Sequence, residues 1–177
     1  HKRVLKALPD FLWQLQQQFG TFTKNGDSLQ TALKNIKKNG LHCEDGTYTI
    51  LNYAKVEHSE INSWIARGFP IVTCADVTKT NFKDAKFKGV FGGKDGEKVT
   101  AHAFALTGYE TGYLWALNSY GSTWGFFKDG TFKIKDTDVA HLGSCYILYD
   151  AEDIKMIFRD VSEKAPFQAP GALSGRG

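Results

Sequence analysis

VTAHAFALTGYETGYLWALNSYGSTWGFFKDGTFKI, residues 99–134, is the stretch on which the reading of this chain turns. His102 sits in a run of alternating apolar residues, and two strands are expected at about 101–107 and 112–118, joined by the hairpin-length loop Gly108-Tyr-Glu-Thr-Gly112. Sixteen residues beyond His102 comes Asn118, which opens the phrase Asn118-Ser-Tyr120-Gly-Ser-Thr-Trp124-Gly125. Neighbouring antiparallel strands place side chains such as His102 and Asn118 side by side. A further strand pair is expected at about 126–128 and 131–134 around Asp129-Gly130, a dipeptide suited to a tight hairpin. Tyr146–Tyr149 reads as a closing strand.

The composition is that of a folded domain. With 177 residues the chain makes one domain, or two small lobes sharing a cleft, and 42% hydrophobic and 14% aromatic residues supply a core. Eighteen glycines against four prolines point to many turns and a β-rich body. The net charge of +3 is small and the lysines are dispersed; Lys34, Lys37 and Lys38 fit the solvent face of a helix, so no nucleic-acid partner is expected. Apolar runs are too short to span a membrane. The chain starts at His1 with no visible signal peptide, which leaves a removed or external upstream segment open. Cys43, Cys74 and Cys145 are odd in number and lack paired spacing, so a disulfide framework is not expected and an intracellular, reducing compartment is.

The front of the chain reads as helical. Residues 10–19 make a short helix between Pro9 and Gly20. A clearer one runs over 28–39, capped by Asp27 or Ser28, with Leu29, Leu33 and Ile36 on one face and Gly40 past its end. A third covers about 60–67, capped by Ser59 and stopped by Gly68. Pro70–Asp76 reads as a buried strand with Cys74 as a small core residue. Residues 77–98 read as mostly loop, and 162–177 as a flexible tail.

Against this background residues 99–134 resemble the C-terminal lobe of papain-like cysteine peptidases. His102-Ala103 and Thr107-Gly108-Tyr109 are similar to that family's catalytic His strand and the turn after it. Asn118–Gly125 resembles its Asn-Ser-Trp-Gly-x-x-Trp-Gly phrase, with Tyr120 in place of the first Trp, and Gly130–Ile134 echoes its Gly-Tyr-Phe-Arg-Ile. Phe87–Phe91, Pro70-Ile-Val and Ser28–Gly40 resemble further family segments, so the likeness covers about residues 25–149. It implies an α+β, papain-like fold: a single domain over 1–161, with a reduced helical N-terminal lobe (1–57) and a β-barrel-like C-terminal lobe (58–161).

The resemblance also implies roles. In such sites a thiolate attacks an acyl carbon and an imidazole acts as base and then acid. His102 and Asn118 would be the retained triad positions, Asn118 orienting the ring, with Tyr120 shielding that contact and Trp124 packing beside it. A lone His in an apolar strand is more often a satisfied core residue; the Asn phrase favours the catalytic ancestry. His1, His42, His58 and His141 have no such context, and no spacing among them suggests a metal, so no cofactor is expected.

One part of the family pattern is missing. The family's nucleophile lies in Gln-x-x-x-Cys-Gly-Ser-Cys-Trp, and no such string occurs here; 25 residues before Gly26 are too few for the usual central helix and its preceding strand. Cys43, in a loop between His42 and Glu44-Asp45, has carboxylates that would raise its pKa; Cys74 lies in a strand; Cys145 stands where some members carry a disulfide cysteine, without that cysteine's partner. None matches the nucleophile. Two readings follow. The favoured one is a catalytically inactive homologue that acts as a binding or structural subunit, its reduced N-terminal lobe covered by a protein partner. The alternative is the C-terminal chain of an active cysteine endopeptidase whose nucleophile is on a separate segment.

Overall fold

The structure, a computed structural model, describes residues 28–43, 46–92 and 96–149, without the side chains of 41–48. The helix expected at 10–19 and the tail at 162–177 lie outside the described residues. Helix α1 (Leu29–Asn39) forms where the periodicity places it. Ser28 accepts from the Thr31 amide at 3.1 Å, Lys37 and Lys38 occupy the last turn, and Leu33 is buried. A short hairpin of β1 (Leu41–Cys43) and β2 (Gly46–Tyr48) follows, so Cys43 ends a strand instead of lying in a loop.

The second helix, α2 (Ile61–Ala66), buries Ile61 and Trp64. Its start differs from the expected Ser59 cap. A single 3-10 turn, His58–Glu60, precedes it, and Glu57 and Glu60 cap each other, the Glu60 carboxylate accepting from the Glu57 amide at 3.3 Å.

The body is a seven-stranded sheet in the order β3-β9-β4-β6-β7-β8-β5. Its strands are β3 (Asn52–Val56), β4 (Ile71–Thr78), β5 (Val90–Phe91), β6 (Lys98–Glu110), β7 (Tyr113–Leu117), β8 (Thr131–Lys135) and β9 (Cys145–Tyr149). All pairings are antiparallel except β5 with β8. Strand β3 lies before the 57/58 lobe division expected from the sequence, yet pairs with β9 along its whole length. Every strand contributes to one apolar cluster: Val56, Ile71, Phe91, Phe104, Leu106, Leu114, Phe132, Ile134 and Ile147 among others. Phe91 on β5 and Phe104 on β6 have ring centroids 6.2 Å apart. Three strand spacings separate β5 from β6, about 14 Å in a flat sheet. The sheet therefore curls around its inner face, which is the barrel-like lobe expected from the resemblance.

Two segments depart from expectation. Residues 77–98 hold a helix, α3 (Lys79–Lys88), where mostly loop was expected. Its lysines and phenylalanines make no clean apolar stripe, so periodicity hides it. Its ends are set by chemistry instead. The Thr78 amide donates to Asn81 Oδ1 at 2.9 Å and the Asn81 amide to Thr78 Oγ1 at 3.1 Å. At the far end Gly89 takes φ +74°, and an added Cβ would stand 2.7 Å from the Phe127 ring. Asn81 also donates from Nδ2 to the Asp76 carbonyl at 3.0 Å, which fastens the helix to the end of β4.

The second departure is the Asp129-Gly130 turn. Residues 126–128 are not a strand; Asp129 Oδ1 accepts from the Thr131 amide (2.9 Å) and hydroxyl (2.6 Å), a local turn that feeds directly into β8. Strand β8 then pairs with β7, Leu114 opposite Ile134 and Ala116 opposite Phe132, because that register puts all four apolar side chains in the core. Likewise β6 runs on to Glu110, so the loop to β7 shrinks to Thr111-Gly112.

Two thiols line β4 and β9. Cys145 is fully buried and donates to Thr73 Oγ1 at 3.3 Å; burial pushes its pKa above the ordinary 9.0. Burial, then the Asp76 carboxylate, does the same for the half-buried Cys74.

Asn81→Ala leaves the Thr78 amide and Asp76 carbonyl unpaired in a buried place. The expected loss of stability is about 2 kcal/mol by urea denaturation; a loss under about 0.5 kcal/mol, the level of a neutral surface change, contradicts the cap. The raised thiol pKa values give a second expectation. Stability from these groups is complete below 9.0 and is lost as pH rises beyond it. The urea midpoint of the native chain therefore falls faster between about pH 8.5 and 10 than that of Cys145→Ala; equal slopes refute the assignment.

Candidate active site

His102 and Asn118 meet at one rim of the curled sheet. On β6 the inward row is His102, Phe104 and Leu106, and β4 presents Ala75 directly opposite His102. Ala75 brings only a methyl group, which leaves the imidazole room to lie over the rim. Asn118 directly follows β7, and its amide donates to the Gly130 carbonyl at 2.9 Å. Gly130 in turn donates to the Trp124 carbonyl at 3.1 Å. It holds φ +83°, and a Cβ there would stand 2.9 Å from the Gly121 carbonyl oxygen, so glycine is required at the neck of the loop.

The pair is joined directly: His102 Nε2 lies 2.8 Å from Asn118 Oδ1. The direction of this bond follows from a second contact. The Ser119 amide, which can only donate, is 2.7 Å from the same oxygen. The atom it meets must accept, which fixes the Asn118 carboxamide with its oxygen toward the ring. His102 Nε2 therefore carries the proton and donates. In the neutral imidazole this leaves Nδ1 as the free lone pair, the nitrogen a general base uses. Asn118 is 8% exposed, so the bond works largely out of water.

Tyr120 covers the pair. Its ring stacks on the imidazole with centroids 5.1 Å apart and planes 5° from parallel, although 52% of the residue stays exposed. Trp124 packs against Tyr120 at 5.7 Å and reaches the core through Phe132 at 6.1 Å. All four residues singled out from the sequence thus come together. Phe82 on α3 was missed; it contacts both Tyr120 (6.0 Å) and Trp124 (5.9 Å). The signal that locates it is the Thr78-x-x-Asn81 box, which starts a helix and sets Phe82 in its first turn.

The described thiols point elsewhere. Cys74 pairs with Ala103, one residue out of step with Ala75 and His102, so its side chain leaves the opposite face of the sheet from the imidazole. Cys145 is sealed in the core against Thr73 and Gly143, with its thiol held neutral by burial. His58 bonds the Gly143 carbonyl at 3.2 Å and His141 faces Asp138 at 3.8 Å, both apart from the pair. Among the described residues no three His, Cys, Asp or Glu side chains converge as metal ligands.

The arrangement is that of an oriented, shielded imidazole. The family model for papain family cysteine proteases matches residues 12–151. Among solved structures, the cysteine protease CMS1MS2 of Carica candamarcensis in complex with E-64 is similar with a TM-score of 0.57 and 19% identity, over 71% of this chain and 69% of that one. Xylellain, a cysteine protease from Xylella fastidiosa, is similar with a TM-score of 0.63 and 15% identity, over 80% of this chain and 69% of that one. No curated protein matches the chain. The structural likenesses speak for the fold, and the family match spans well over half of the sequence: this chain belongs to the papain family of cysteine proteases.

Proposed function

We propose that this chain is a papain-family homologue that does not hydrolyse peptides with its own thiols and acts as a binding or structural subunit of a protein assembly. The observation that carries the reading is the placement of sulfur. Cys74 leaves the opposite face of β4, and Cys145 is fully buried with a raised pKa. Neither supplies a thiolate to His102. No Gln-x-x-x-Cys string supplies the family's nucleophile and oxyanion donor within these 177 residues. Loss of one triad member costs on the order of a million-fold in serine analogues. A binding role is supported by apolar side chains left in solvent, among them Phe87, Val99 and Phe126, each more than half exposed.

One observation favours a second reading. The His102–Asn118 bond keeps Nδ1 free and the ring oriented, which suits a base that receives a thiol from another segment. In that case the chain is the C-terminal part of an active cysteine endopeptidase.

A peptidyl epoxide that alkylates thiolates separates the readings. On the 177-residue chain we expect no labelling that depends on His102: wild type and His102→Ala carry the same adducts by mass spectrometry, and a fluorogenic peptide is cleaved at the buffer rate. Labelling of Cys43, Cys74 or Cys145 that disappears in His102→Ala overturns the first reading. Intact mass and N-terminal sequencing of the native protein test the second, which requires a cysteine-bearing segment associated with this one.

A further inference from the structure

We propose that the outer face of α3, with Phe126 beside its C-terminal end, docks an acidic segment of a partner protein that carries an apolar anchor. This rests on the reading of the chain as a binding subunit and names the surface and the chemistry of what it binds. Lys79, Lys83, Lys86 and Phe87 fall at i, i+4, i+7 and i+8 of α3, which is one stripe, and all four are exposed while Asn81 and Ala85 are buried. Phe87 is 62% and Phe126 55% exposed. The two rings share the end of the helix: Phe87 stands two residues before Gly89, where an added Cβ would come 3.2 Å from the Phe126 ring. Phe126 is exposed without being loose. It meets Phe127 edge-on, 5.2 Å between centroids and 89° between planes. Phe127 lies 5.0 Å from Trp115 and beneath the Lys133 ammonium, which Glu110 holds in an ion pair. A ring on so fixed a base loses little freedom on binding.

Charge selects the occupant. Helix α3 and residues 126–129 carry Lys79, Lys83, Lys86, Lys88 and Lys128 against Asp84 and Asp129. Asp84 pairs with Lys88 at 2.9 Å, and Asp129 accepts from Thr131. Among the described residues no carboxylate pairs with Lys79, Lys83 or Lys86. The local excess of three positive charges equals the net charge of +3 of all 177 residues. A second copy brings the same lysines to the contact and is repelled. The layout is a line: the lysine stripe runs for about 10 Å from residue 79 to residue 86, and both rings lie at its C-terminal end. A peptide with carboxylates along the stripe and one apolar side chain beyond them fits that line. Its carboxylates fall toward the N-terminal half of α3, where the helix dipole adds to the pull of the lysines. A lipid surface favours rings spread over a face with cations around them, which is a different layout.

The test is selection from a phage-displayed library of random short peptides on the full chain, followed by fluorescence titration of the best synthetic peptide. Selected peptides are expected to carry several carboxylates and an aromatic or large aliphatic side chain, and to bind more weakly as salt rises. Phe87→Ala, Phe126→Ala and the double variant Lys83→Glu/Lys86→Glu each weaken binding about fivefold or more, the level of an anchor residue. Lys34→Glu, the same charge change on α1, leaves binding unchanged. All these side chains are exposed, so the variants keep the wild-type urea midpoint. An empty selection, peptides without net negative charge, or equal binding to the Phe87 and Lys83/Lys86 variants overturns this surface and leaves a binding role elsewhere on the chain standing. Sedimentation with phosphatidylserine vesicles that depends on Phe87, in place of peptide binding, assigns the face to lipid and overturns the proposal. A dimer that Phe87→Ala dissociates overturns it in favour of a second copy. A carbodiimide cross-link from Lys83 to a carboxylate of the same chain that excludes the peptide overturns it in favour of the chain itself. Failure of the non-peptidase reading shows instead as His102-dependent labelling by the epoxide, which none of these substitutions touches.

Discussion

The inward row His102, Phe104 and Leu106 on β6 ties the site to the core. Phe104 and Leu106 are buried beside Thr73 and Ile71 of β4 and Ala116 of β7, and this apolar register leaves β6 no alternative pairing. A slip of one residue would turn all three side chains outward together. His102 is the last member of the row, so its place at the rim follows from the burial of the other two. Asn118 is set by the same ladder from the other side, as the first residue past β7. The site therefore needs no separate scaffold; it is where the core register reaches the surface.

Much of this was legible in the sequence. The alternation around His102, the Asn phrase and the helix at 28–39 each carry a periodic or local signal, and each formed as expected. Other elements were hidden for identifiable reasons. Helix α3 owes its existence to a cap, a glycine stop and packing of Phe82 and Ala85, without an amphipathic stripe. Strand β3 is too short and mixed to stand out until β9 offers its edge. Asp129-Gly130 looked like a hairpin because the dipeptide favours one, but Asp129 turns to Thr131 and the ladder partner of β8 is distant in sequence. Long-range pairing wins over local turn preference wherever it buries Phe132 and Ile134.

The cysteines show how burial decides chemistry. Cys74 reads as a core residue in sequence, and in space it is only half-buried, on the face opposite His102. Cys145 has an oxygen partner at 3.3 Å and no solvent, conditions that favour a neutral thiol. The held imidazole of His102, Cys74 on the opposite face and Cys145 buried against Thr73 belong to the same sheet.

His102 is locked as an Nε2–H donor to Asn118, with Nδ1 free. Nitrogen-15 shifts of the imidazole in the neutral form, measured on the intact chain, test it most directly. The expected result is a protonated Nε2 and a pyridine-like Nδ1, with Asn118→Ala abolishing the preference. A ring protonated at Nδ1, or one averaging between tautomers in the native chain, contradicts it.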